Sequence, residues 1–221
     1  MQDVWDPDFA REILPDLVGG LWVTIQATLM GIILAMVLGL VLALARRCRR
    51  RLISWTVGAF VEFVRSTPLL AQLFFLFFVL PEFGVVLSPL VTGVVALGIH
   101  YGCYTSEAYR AGIQSVPRGQ WEAAMALNMA PATKWRRVVL PQAIPTVIPA
   151  LGNYLVAMFK DAPLLSTVTV LELLAVARSF QGSAFRGLEP FTLAGLLFLS
   201  VSIPAAMLVR YLERRYGYVR A

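Results

Sequence analysis

The chain has 221 residues, 58% of them hydrophobic and 14% charged, whereas soluble globular domains are about a quarter charged. That composition excludes an ordinary soluble domain and implies a protein that crosses a membrane several times. The formal net charge of +6 does not point to nucleic acid, because the basic residues are sorted by loop and form no single stripe.

The first residues are acidic: Asp3, Asp6, Asp8, Glu12 and Asp16 stand against Arg11. This is the wrong chemistry for a secretory leader, so residues 1–18 read as an external N-terminal segment and the first apolar span as retained. Segments of about 20 mostly apolar residues fall near 19–45, 54–80, 85–108, 143–160 and 190–210. The chain is thus expected to be an all-α integral membrane protein of five transmembrane helices. The first span is longer than a bilayer requires, which implies tilt or projection. It carries Ala27, Gly31, Ala35, Gly39 and Ala43 at i+4 spacing, and Gly98 and Gly102 repeat the pattern in span three. Such stripes permit close helix contact, within one chain or between subunits.

Three basic clusters set the orientation. Arg46, Arg47, Arg49, Arg50 and Arg51 form the first; Arg110, Arg118, Lys134, Arg136 and Arg137 the second; Arg210, Arg214, Arg215 and Arg220 the third. The positive-inside rule requires all three to be cytoplasmic. Alternating five spans puts them there, with the N-terminus outside and the C-terminus inside.

The loop at about 110–141 is unusually long for such a chain and calls for a soluble partner. Trp121 to Met129 reads as a short helix with Glu122 in its first turn, where a carboxylate suits the positive helix end. Asn128 stands where a residue able to take positive φ is expected. Pro131 marks a turn, Thr133 to Val139 a second short helix, and Leu140-Pro141 its end.

Polar groups within spans are costly unless paired or wetted, so they are candidates for a solute path. Glu62 and Arg65, at i+3, share a helix face; a structural ion pair at the membrane interface is the other reading. Glu107, Asn153, Lys160 and Asp161 complete the candidate list. A zwitterionic solute needs both signs of charge, and Tyr101, Tyr104 or Tyr154 could hold a delocalised cation, although such aromatics more often pack. His100 is the only histidine, and Cys48 and Cys103 are isolated, so neither a metal cofactor nor a disulfide is expected. There is no phosphate-binding G-x-x-x-x-G-K-[ST] loop and no G-x-S-x-G elbow. The chain is expected to hydrolyse neither ATP nor peptide bonds, and a passive channel would not need the long loop.

Glu122-Ala123-Ala124, followed by Asn128, Val138, Leu140 and Pro141, resembles the cytoplasmic signature of bacterial ABC importer membrane subunits, with Asn128 in place of the usual Gly. Glu62-Phe63-Val64-Arg65-Ser66-Thr67-Pro68-Leu69-Leu70, Tyr109-Arg110-Ala111-Gly112-Ile113, Gln142-Ala143 and Lys160-Asp161 resemble permeases of the polar amino acid uptake (His/Glu/Gln/Arg/opine) family. Ser66 stands where Gly is common, and Ala162-Pro163 where a hydroxyl pair is common. Those departures, with Phe185-Arg186 and Glu189-Pro190, are most similar to ectoine and hydroxyectoine permeases. The resemblance implies a transmembrane domain over 19–221 in a bacterial inner membrane, moving its solute by ATP-driven alternating access. It implies a coupling loop seated in a groove of an ABC ATPase dimer, where Glu122 makes a polar contact. ATP and Mg would belong to that dimer, with no cofactor in this chain. A sibling permease subunit, identical or different, and an external solute-binding protein complete the implied assembly.

Overall fold

A computed structural model describes residues 5–216, and these contain helices and turns with no strand. Helix α1 runs from Pro7 to Arg46. At 1.5 Å per residue its 40 residues extend about 60 Å, twice the roughly 30 Å hydrocarbon thickness. It passes unbroken through the expected boundary at residue 18. The start signal is Asp6-Pro7: the Asp6 carboxylate accepts the N–H of Asp8 and Phe9 at 3.1 and 3.2 Å, and Pro7 occupies the first turn, where no donor is needed. Asp6 also pairs with Arg186 at 2.8 Å, and Arg186 with Glu189 at 3.0 Å, which ties the start of α1 to the start of α9 (Leu188–Tyr216).

The small-residue stripe of α1 is buried within the chain. A Cβ on Gly39 would lie 2.0 Å from Thr105 Oγ1 and 2.8 Å from the Gly102 carbonyl; one on Gly98 would lie 2.4 Å from Leu34. The Thr105 hydroxyl donates to the Ala35 carbonyl at 2.8 Å. The two stripes are therefore an intramolecular seam between α1 and α4 (Pro89–Gln114), and α4 is the centre of the bundle. Around it Ile32, Leu73, Leu97, Met158 and Leu165 form the main apolar core.

The expected second span is two helices. Helix α2 (Arg51–Arg65) meets the run Leu69–Phe83, which opens with α3 (Leu69–Phe74), at a bend of 104°. Proline disfavours helical conformation in the residue before it, and Thr67-Pro68 breaks the helix there. The carbonyls released at the break are not orphaned: the Gln72 amide donates to Val64 O at 2.7 Å and to Thr67 O at 3.1 Å.

The second short helix expected at Thr133–Val139 is not a separate element. Helix α6 (Pro131–Lys134) passes through a π-helical turn, Trp135–Val139, into α7 (Leu140–Asp161). Leu140-Pro141 therefore continues a helix instead of ending one. A proline ring collides with the carbonyl four residues earlier, and the wider π turn moves that carbonyl aside. The same device occurs at Phe75–Val79 before Leu80-Pro81. In both turns the leucine N–H reaches back five residues, to Phe75 and to Trp135.

After α7, a 3₁₀ segment and a left-handed Thr169 (φ 64°) lead to α8 (Leu173–Ala184). Glu172 caps α8 and is fully buried, accepting N–H bonds from Leu174 and Ala175 at 2.9 and 2.7 Å. Three helical segments are long and apolar enough to cross a membrane: α1, the run Pro131–Val168 and α9. The bent α2–α3 pair makes a fourth. Helix α4 has the length, with 26 residues, but His100, Tyr101, Tyr104 and Glu107 make its second half more polar.

Candidate functional site

Two surfaces stand out. The first is the hairpin between α4 and α7. Helix α5 (Arg118–Ala126) begins three residues earlier than the sequence suggests, so Glu122 lies beyond its first turn and draws nothing from the helix end. The helix closes with Asn128 at φ 50°. Asn128 N–H bonds Met125 O at 2.9 Å, and Met129 N–H bonds Ala124 O at 3.1 Å, a Schellman closure that requires the left-handed residue. Trp121 and Trp135 meet edge to face with centroids 5.5 Å apart, and the Arg47 guanidinium lies 5.9 and 5.3 Å from the two rings. This clamp ties the hairpin to the end of α1. Ala124 is buried beneath it, while Glu122, Ala123, Asn128, Leu140 and Pro141 are exposed. Met125 and Leu127 add apolar surface beside Glu122, at 56% and 75% exposure.

The second is a polar cluster where α4 meets the α2–α3 bend and α7. Tyr101, Tyr104 and Tyr154 cluster with ring centroids 6.0 to 6.3 Å apart. Tyr101 donates to Asp161 Oδ2 at 2.6 Å. The Arg65 guanidinium lies 5.2 Å from the Tyr104 ring centre and pairs with Glu62 at 3.5 Å. Arg65 Nε is buried and finds no acceptor among the described residues. His100 Nδ1 donates to Gln72 Oε1 at 3.2 Å.

The cluster gathers Glu62, Arg65 and Asp161 of the sequence candidates. Glu107 belongs to an ionic knot, held by Arg46 from α1 and by Arg110 at 2.9 Å. Asn153 points elsewhere, donating to Glu213 of α9 at 2.9 Å. Lys160 is exposed, with no ion-pair partner among the described residues. Sequence reasoning missed Gln72. Its signal is there, since it is the one amide in the apolar run Leu69–Val79.

Residues 19–218 match the family described as "Binding-protein-dependent transport system inner membrane component". A probable amino-acid ABC transporter permease protein, y4tG of Sinorhizobium fredii, is 49% identical over 93% of this chain and 89% of its own length. The L-cystine transport system permease protein TcyB of Bacillus subtilis is 37% identical over 91% and 86%. A crystal structure of an amino acid ABC transporter with histidines superposes at a TM-score of 0.89, with 32% identity over 96% of this chain and 99% of that one. The bundle around α4 and these likenesses agree: the chain belongs to the inner-membrane components of binding-protein-dependent transport systems, as a non-enzymatic permease subunit of the amino-acid ABC importer class.

Proposed function

We propose that the chain forms half of a solute path driven by ATP hydrolysed on a separate ABC ATPase dimer, and that the hairpin 118–141 is its point of attachment. The observation that carries this reading is the exposed group of Glu122, Met125 and Leu127 on a helix that is itself clamped by Trp121, Trp135 and Arg47. A surface that is exposed to its partner but rigidly fixed behind can transmit displacement. Partner closure moves the hairpin, the π turn passes the movement into α7 without a hinge, and a path past the tyrosine cluster opens to one side and then the other.

This reading keeps five spans, with α2–α3 as one broken span, the N-terminus outside and the C-terminus inside. A sibling permease, identical or different, supplies the other wall, and an external solute-binding protein delivers the cargo. The polar cluster suits a small zwitterion: Arg65 offers a cation for a carboxylate, Asp161 an anion, and the tyrosines π faces for a delocalised positive charge. A polar amino acid fits this description. Ectoine, whose positive charge is delocalised over an amidine, is the finer reading that the tyrosine cluster favours.

Reconstituted transporter tested with binding proteins loaded with a panel of amino acids or ectoine should show ATPase stimulation by one cargo class. Uptake should stop on ATP depletion with ion gradients clamped; flux that continues unchanged would establish a passive channel instead.

A further inference from the structure

Beside the Trp121–Trp135 clamp, the ends of α1 and α4 and the start of α2 enclose an open bowl of about 1090 Å³. Arg46, Arg47, Arg51 and Arg110 line it, with Leu52 and Trp55. One carboxylate, Glu107, serves Arg46 and Arg110. Arg47 and Arg51 have no ion-pair partner among the described residues. Four guanidiniums against one carboxylate leave three positive charges on a concave surface. Leu52 and Trp55 are both 78% exposed, and exposed Trp beside basic residues is the composition of a membrane–water boundary.

We infer that this bowl binds the phosphate headgroup of an acidic phospholipid, with Leu52 and Trp55 against its acyl chains. Guanidinium forks match phosphate oxygens in bidentate geometry, and arginine clusters next to a transmembrane helix attract anionic lipid. The rim decides between lipid and a soluble anion. A dissolved phosphate would use the arginines alone, whereas a phospholipid also covers the adjacent apolar side chains. Lipid retention by this bowl does not depend on the identity of the solute.

The test uses the assembled transporter in bilayers of mixed phosphatidylglycerol and phosphatidylcholine, with co-purifying lipid identified by native mass spectrometry. Wild type should retain phosphatidylglycerol well above its bulk share. Arg51→Gln should lower that enrichment about fivefold, Arg51→Lys, which keeps the charge but loses the bidentate fork, should retain only part of it, and Arg11→Gln, which removes the same charge at the opposite end of α1, should leave it unchanged. Trp55→Ala should lower retention with all four guanidiniums present. Equal enrichment in wild type and Arg51→Gln would overturn the inference. So would displacement of the lipid by excess inorganic phosphate at constant ionic strength, which would make the bowl a site for a soluble anion.

Discussion

Tyr101 on α4 donates a 2.6 Å hydrogen bond to Asp161 at the end of α7, so the tyrosine cluster and the Asp161 carboxylate are positioned by each other. A hydrogen bond to a charged group contributes about 1.5–3 kcal/mol. Tyr101→Phe keeps the ring and removes the donor. It should reduce solute affinity in binding-protein-dependent uptake while leaving the permease inserted and assembled; unchanged uptake would show that Asp161 is held by other contacts.

Glu122 is exposed on the outer side of the clamped hairpin. Glu122→Lys reverses its charge without touching the Trp121–Trp135 contact. The variant should insert normally, lose retention of the ATPase on affinity purification, and fail to take up solute. Wild-type uptake would remove Glu122 from the coupling surface.

Asn128 holds φ at 50°, a region that costs an ordinary L-residue roughly 1–2 kcal/mol. Asn128→Gly should be neutral or slightly stabilising. Asn128→Val should open the Schellman closure, and protease should then cut near residue 128 sooner than in wild type. Equal cleavage of the two variants would show that the closure does not set hairpin rigidity.

Gly39 faces α4 with no room for a side chain. Gly39→Ala should destabilise the α1–α4 seam by about 1–3 kcal/mol, seen as a lower thermal aggregation midpoint in detergent. Adding Thr105→Ala should not restore it, because the Gly102 carbonyl still lies 2.8 Å from the new Cβ.

Burial pushes the Glu172 carboxyl up from its ordinary 4.5 to about 7, against the opposing pull of the Leu174 and Ala175 N–H groups. A carboxyl whose folded value is raised holds its proton longer in the native state. Stability is therefore lost as pH rises from about 4.5 to about 7 and is flat above, with an amplitude of at most roughly 3 kcal/mol. Thermal unfolding across that range should show the slope, and Glu172→Gln should flatten it.

Of the hairpin, the first short helix and its closure at Asn128 are legible in the sequence because their signals are local. Glu122, the left-handed position at Asn128 and the apolar runs on either side are properties of neighbouring residues. Apolarity marks where a helix meets lipid, not where its backbone bonds begin, so the apolar run 19–45 does not give the start of α1, which Asp6-Pro7 signals. Leu140-Pro141 reads as a helix end but lies within a continuous helical run. Proline ends a regular α-helix, but the five-residue π turn at Trp135–Val139 admits it, and nothing in one strand of sequence announces that turn in advance.

The candidate path divided on geometry. Glu62 and Arg65 could be paired from their spacing alone, since i+3 neighbours share a face. Glu107, Asn153 and Asp161 could not be told apart, because their partners, Arg46, Glu213 and Tyr101, lie about sixty residues away. Composition and local pattern determined that this chain is a helical membrane protein with a polar hairpin, because burial in lipid and helix closure depend on residues close together in sequence. Only the tertiary structure decided which polar groups neutralise one another, because that depends on which helix faces meet.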